Sequence, residues 1–185
     1  MTALLVASVV VLAVVVVVQG LVLLEMVRQT AQIRRVLDLD DRPTPISLGN
    51  LAGRPLPEPA RSLWNGTSQD GVVVLLSTDC ATCRLVASGL RELLDRFEQH
   101  RIVAVLQAHH EDEAAEMLAT ANLGQDEIVL DLEREYGAAL GIALRPAAVV
   151  VRDGIVSEGA TIRNARQLQQ LLEALEASTR EVVEV

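Results

Sequence analysis

Residues 3–24 form 22 consecutive positions without an ionisable side chain, ten of them valine, and such a run admits few structures. At about 1.5 Å rise per residue a helix of this length spans roughly 33 Å, enough for a hydrocarbon core of about 30 Å. Only Ser8, Gln19 and Gly20 interrupt it. In lipid each backbone polar group must bond within its own segment, so helix is the only single-pass solution, whatever valine prefers in water. A cleavable signal peptide needs a basic start, a shorter apolar stretch and a small-residue cleavage site. Here no Arg or Lys precedes the run, and Glu25-Met26-Val27-Arg28 follows without such a site. The sequence therefore predicts a transmembrane anchor over 1–24, meeting the bilayer through 3–24, and a juxtamembrane helix over 25–40. Arg28, Arg34 and Arg35 follow the span and only the terminal amine precedes it. Counted alone, these charges place the remainder of the chain in the cytoplasm.

That remainder has the composition of one folded domain. Of 185 residues, 50% are apolar and the formal charge is −9, which excludes a disordered chain and argues against nucleic acid as a partner. Trp64, Phe97 and Tyr136 are the whole aromatic complement, too few for a base-stacking surface. Residues 41–70 are rich in proline and glycine and read as a linker passing into irregular or edge-strand structure. Asn65-Gly66-Thr67 fits a glycosylation acceptor, a triplet common by chance.

From residue 71 the pattern is regular. Val72 to Leu76 is a continuous β-favouring run, expected of a strand covered on both faces. Residues 81–99 carry a helical stripe through Leu85, Leu90, Leu93, Leu94 and Phe97. Residues 102–106 read as a second buried strand and 111–122 as a helix with an acidic first turn. A short apolar segment at 128–130 precedes a helix expected over 132–140. Pro146 then leads into a strand at 147–151. Arg152-Asp153-Gly154 is a hairpin turn, because Asp-Gly supplies the positive φ values a tight turn needs. The returning strand is expected at 155–159, and a final helix capped by Asn164 runs to Ala177, with Leu168, Leu171, Leu172 and Leu175 on one face. The domain core is expected over 71–178 and a frayed tail over 179–185. Alternating strands and helices closed by a hairpin and a helix predict a three-layer α/β sandwich with a mixed central sheet.

Cys80-Ala81-Thr82-Cys83 falls between the first buried strand and the helix that follows, the context in which a Cys-x-x-Cys reads as a redox pair. At a helix N-terminus, unpaired amide N–H groups and the helix dipole stabilise a thiolate, making Cys80 both nucleophile and leaving group. Cys83, one turn on, would attack the mixed disulfide and close the Cys80–Cys83 bond. A zinc half-site needs two more ligands, and His100, His109 and His110 form no second paired motif, so no metal is expected. Two unrelated buried thiols, or a thiol peroxidase using Ser77 to hold peroxide, are the other readings. Val73 stands where such peroxidases carry a proline. His109-His110 reads as an exposed loop, with a proton donor near the pair as the alternative.

These features resemble the membrane-anchored thioredoxin-like proteins of bacteria. The disulfide reductases of cytochrome c maturation are among them, and the likeness is strongest to the thioredoxin-like accessory protein of methylamine utilisation. The matching residues are Val27-Arg28-Gln29 after the span, the turn Ser77-Thr78-Asp79-Cys80-Ala81-Thr82-Cys83, Leu144-Arg145-Pro146-Ala147-Ala148-Val149-Val150, and Asp153-Gly154-Ile155-Val156 with Gly159. The resemblance implies a thioredoxin-like fold and thiol–disulfide exchange on protein cysteines without a cofactor. It also implies a membrane electron or disulfide partner and a redox domain outside the inner membrane, against the charge count above. The work it implies is maturation of an exported enzyme such as an amine dehydrogenase. Pro146 corresponds to the family's cis-proline, beside the cysteines and facing the substrate. Ser77, Asp79, Arg145 and Pro146 are thus candidate substrate-binding residues beside catalytic Cys80 and Cys83.

The departures bear on mechanism. Asp79 replaces the tryptophan that often precedes the nucleophile, and its carboxylate opposes a thiolate, whereas Arg145 favours one if the two sites meet. Val74 stands where thioredoxins keep a buried acid. A thioredoxin-fold module that only binds or tethers a partner remains the alternative from another class.

Overall fold

A computed structural model of the chain describes residues 16–23, 25, 26, 28, 42–64 and 70–183. It divides into two compact units, Met1–Arg42 and Pro43–Val185. In the first unit residues 16–23 are helical. Among the described residues no helix is long and apolar enough to cross a membrane. Residues 3–15 and 24 of the expected span, most of the expected juxtamembrane helix, and the Asn65-Gly66-Thr67 triplet lie outside the described residues.

Among its described residues the second unit has six strands: β1 (Thr44–Ile46), β2 (Gly71–Ser77), β3 (Arg101–Gln107), β4 (Ile128–Asp131), β5 (Ala147–Arg152) and β6 (Ile155–Thr161). They form one mixed sheet in the order β1-β6-β5-β2-β3-β4. The pairs β2–β3 and β3–β4 are parallel, and β1–β6, β5–β6 and β2–β5 are antiparallel. Among the described residues five α-helices accompany it: α1 (Ala60–Trp64), α2 (Ala81–Arg96), α3 (Glu111–Ala121), α4 (Glu135–Ala139) and α5 (Ala165–Val183).

β2 is central because its sequence permits nothing else. All seven of its residues are buried, and a Val/Leu run without alternation needs cover on both faces. Val72, Val74 and Leu76 enter one core with Val86 and Leu90 of α2, Met117 and Leu118 of α3, and Leu168 and Leu172 of α5. Val73 and Leu75 enter the other with Ala60 and Trp64 of α1 and with Leu140 and Ile142. This is the three-layer arrangement the alternating pattern predicts. The hairpin also forms as expected, with Asp153 at φ 51° and Gly154 at φ 75°.

One further segment follows its sequence pattern and two differ. The proline-rich stretch before residue 70 supplies edge strand β1, and Gly53 and Leu56 donate backbone hydrogen bonds to Val156 and Gly154 of the terminal hairpin. Proline is tolerated there because an edge strand leaves one row of donors unpaired. The helix expected from residue 132 starts only at Glu135. Arg134 adopts a left-handed φ of 62°, and Asp131 Oδ1 accepts the Glu135 N–H at 2.9 Å. Helix α5 runs on to Val183, past the end of its leucine stripe. Thr179 Oγ1 lies within hydrogen-bond distance of Asp70 Oδ2 (3.2 Å) and Leu175 O (3.0 Å), which share its one proton, and Arg152 bonds Ser178, so polar contacts carry the helix onward.

Candidate active site

The parallel strands β2, β3 and β4 deliver three loops to one edge of the sheet, the usual place for chemistry in an α/β fold. The loop after β2 is only three residues long. Thr78 N–H donates to Gln107 O at 3.0 Å, Cys80 N–H donates to Ser77 O at 3.3 Å, and α2 begins at once. Cys80 is the N-cap, with an extended backbone (φ −107°, ψ 112°), and its sulfur accepts the Cys83 N–H at 3.2 Å. A cysteine sulfur thus takes the place usually held by a serine or aspartate oxygen and satisfies one of the unpaired donors of the first turn. The same geometry favours negative charge on that sulfur.

Both cysteines are thiols in this structure, Cys80 half-buried and Cys83 with no exposed surface. Desolvation pushes the Cys83 thiol up from 9.0 to about 12, helped by the side-chain hydrogen bond to Cys80. A backbone hydrogen bond at Ser77 and the charge of Arg145 act the other way. The two thiols are therefore unequal, one reachable at a helix end and the other shielded behind it.

The loop before β5 closes over this pair. The Arg145–Pro146 peptide bond is cis, as the resemblance implied, and the Cys80 thiol lies 3.7 Å from Arg145 O. Pro146 is buried, and its carbonyl accepts the Ile162 N–H at 3.3 Å. Arg145 is half-buried, and its Nη1 donates to Ile142 O at 2.8 Å and to Leu144 O at 2.9 Å. The two sites that sequence alone left apart therefore meet.

Asp79 is exposed beside Cys80, but its carboxylate is engaged. Asp79 Oδ2 lies 3.0 Å from His109 Nε2, and Arg134 Nη2 lies 3.1 Å and 3.3 Å from the two ring nitrogens of His109. His109 does sit on an exposed loop, yet it reaches the residue next to the nucleophile. Ser77 is buried at the end of β2 below the turn. Asp79 also lines a groove of about 620 Å³ between α2 and α3, walled by Thr78, Arg84, Glu113 and Met117. Among the described residues no cluster of His, Cys, Asp or Glu is arranged to hold a metal ion.

The pattern thus brings Cys80, Cys83, Arg145 and Pro146 together, with Asp79 alongside. It gave no sign of Asp131, Arg134 or Gly137. Their signals are the left-handed backbone at Arg134 and the burial of Asp131, and both depend on how β4 and α4 dock.

No protein-family model and no curated protein matches the sequence. Solved structures do match by shape. A secreted Mycobacterium tuberculosis disulfide oxidoreductase homologous to E. coli DsbE aligns at 16% identity with a TM-score of 0.54, covering 60% of this chain and 86% of its own. A thioredoxin-like protein solved in its oxidised form aligns at 19% identity and TM-score 0.58, over 67% and 95%. A DsbF homologue from Corynebacterium diphtheriae aligns at 16% and 0.52, over 61% and 76%. At these identities the likeness establishes the fold. The chain has a thioredoxin-like fold, with its Cys-x-x-Cys pair at the start of α2.

Proposed function

We propose that this chain exchanges dithiol for disulfide with cysteines of protein partners. The observation that carries the reading is the sulfur of Cys80 capping α2, with the Cys83 N–H on one side of it and the Arg145–Pro146 backbone on the other. In the reducing direction the Cys80 thiolate attacks a substrate disulfide and releases one substrate thiolate. Cys83 then loses its proton to solvent and attacks Cys80 Sγ. The Cys80–Cys83 bond forms, and the second substrate thiolate leaves with the electron pair. The oxidising direction is the same sequence reversed. Arg145 and Pro146 present backbone to an extended substrate segment, with Asp79 at the rim and Ser77 supporting the turn.

The finer reading adds a tether and a place. The uncharged run over residues 3–24 supports a single inner-membrane span. The folds of secreted disulfide oxidoreductases, together with the compartment in which disulfides persist, support an extracytoplasmic domain. The matching motifs around Val27-Arg28-Gln29 and Leu144-Arg145-Pro146 support a role in maturing an exported enzyme such as an amine dehydrogenase.

The test is trapping. In the full-length chain carrying Cys83→Ser, mixed disulfides with partner proteins should accumulate through Cys80 and dissolve on adding dithiothreitol. With Cys80→Ser as well, none should form. Equal trapping by both variants, or none by either, contradicts the proposal.

A further inference from the structure

We propose that the groove between α2 and α3 receives a segment of the partner protein next to its reacting cysteine, and that Glu113 and Glu116 select arginine or lysine in that segment. The proposal rests on the oxidoreductase reading above and names its substrate class. The groove and the nucleophile share one short piece of chain. Thr78 and Asp79, which line the groove, are the two residues before Cys80. A partner segment whose sulfur meets Cys80 therefore lies beside a groove wall. At about 620 Å³ the groove has the size of a ligand site. Sites for small apolar molecules are walled mainly by hydrocarbon and aromatic rings. Here Met117 lies on the groove, but no aromatic side chain lines it, and Asp79, Arg84, Glu113 and Glu116 are charged. Such a lining suits a polar polypeptide.

The charges of the lining decide what kind of polypeptide. Arg84 is its one cation, and Arg84 Nη2 donates to Thr78 O at 3.2 Å, which ties α2 to the turn that carries the nucleophile. A guanidinium has five N–H donors, so Arg84 can serve the turn and a carbonyl of the guest backbone together. Asp79 already has His109 at 3.0 Å, with Arg134 on the far side of that ring. Glu113 and Glu116 are the carboxylates that remain. They stand three residues apart on α3, neighbours on one helix face. Glu113 is half-buried and Glu116 exposed, and among the described residues neither forms an ion pair. Glu113 Oε2 accepts the Thr78 hydroxyl at 3.3 Å. A carboxylate accepts several hydrogen bonds, so this contact leaves room for a guest cation. The net charge of −9 draws basic partners from a distance, whereas a carboxylate pair on the groove wall selects at contact and repels an acidic segment.

The test compares short peptides that differ only in charge. Each carries one cysteine as its 2-pyridyl disulfide, flanked by arginines, serines or glutamates. The reduced full-length chain in mild detergent is used in excess at low salt. The Cys80 thiolate attacks the peptide sulfur, the bond to the pyridyl sulfur breaks, and pyridinethiolate leaves with the electron pair and is read as thiopyridone. Cys83 then displaces the peptide thiolate and closes the Cys80–Cys83 bond. Wild type should open the arginine peptide about tenfold faster than the glutamate peptide, the product of two charge contacts of ordinary strength. E113Q/E116Q should bring that ratio to within about threefold. E58Q/E158Q removes the same charge at exposed positions that do not line the groove, and should leave the ratio as it is. If the first double variant does not fold, E116Q alone, at an exposed position, should give about half of the effect on a logarithmic scale. A wild-type ratio near one, or a preference for the glutamate peptide, overturns the proposal. So does an equal fall of the ratio in both double variants, which would trace the preference to overall charge. Thiopyridone release no faster than that of Cys80→Ser with every peptide overturns the oxidoreductase reading itself.

Discussion

The sulfur of Cys80 lies 3.7 Å from the carbonyl oxygen of Arg145, a residue 65 positions further along the chain. The contact joins the helix that caps itself with a thiol to the loop that enters β5. The roles assigned to both cysteines follow from it, because only Cys80 stands where a partner's sulfur can approach beside that loop.

The two cysteines should therefore fail differently. Cys80→Ser should reduce exchange with protein disulfides to the background of solution thiols. Cys83→Ser should retain the first attack at near the wild-type rate and stop at the mixed disulfide. Alkylation followed by mass measurement separates the two, and identical behaviour would contradict the assignment.

Cys83 also sets a pH limit on stability. Burial raises its thiol from 9.0 to about 12, so the folded dithiol chain keeps a proton that the unfolded chain gives up. Stability from this group is whole below pH 9.0 and is lost as pH climbs toward 12, since the unfolded state then binds fewer protons. The urea midpoint of the reduced wild-type chain should fall over that window more steeply than that of Cys83→Ala. Parallel curves contradict the burial argument.

Gly71 is held by backbone on both sides. A Cβ there would sit 1.9 Å from Arg101 O on the neighbouring parallel strand, and neither strand can yield without breaking the ladder. Gly71→Ala should cost about 2–4 kcal/mol in denaturant unfolding. A loss below about 0.5 kcal/mol contradicts the packing.

The start of α5 is held by two side chains that accept backbone N–H groups in turn. Asn164 Oδ1 accepts the Gln167 N–H at 2.9 Å, and Gln167 Oε1 returns to accept the Arg163 N–H at 2.7 Å. Asn164→Ala should cost about 1 kcal/mol, and Asn164→Asp should restore most of it. Chemical denaturation of both variants checks this.

The Asp79–His109 pair should matter little for stability. Both side chains are exposed, at 63% and 48%, and exposed pairs contribute at most about 1 kcal/mol. His109→Ala should leave the unfolding midpoint nearly unchanged, and any difference should shrink in high salt. A large loss would show that the pair braces the loops after β2 and β3.

Much of this molecule is legible from local pattern. The continuous run at β2, the leucine stripe of α5, the Asp153-Gly154 turn and the Asn164 cap are short-range signals, and each forms as expected; the stripe read on α2 forms only in part, because Leu85 is exposed and Val86 and Ala87 face the core in its place. The cysteine pair is legible because its spacing and its strand–helix setting are themselves local. What escapes is convergence. Asp131 reads as the polar end of a short apolar segment, and Gly137 as a helix-weakening residue. Neither spacing nor periodicity says that Asp131 takes the Glu135 N–H or that Gly137 packs against the Arg145 head group. Arg134 looked like an interior helical position, because its left-handed backbone follows from how Asp131 caps α4. The proline-rich stretch before residue 70 does show its edge strand, but not that β6 is the partner.

The most direct test of the account is a glutathione redox titration of the full-length chain, read by thiol alkylation and mass. The account predicts one reversible two-electron transition, with Cys80 and Cys83 both free at the reducing end and joined in one intramolecular disulfide at the oxidising end. Thiols that stay alkylatable across the whole range, or that are captured only as separate glutathione adducts, would contradict it.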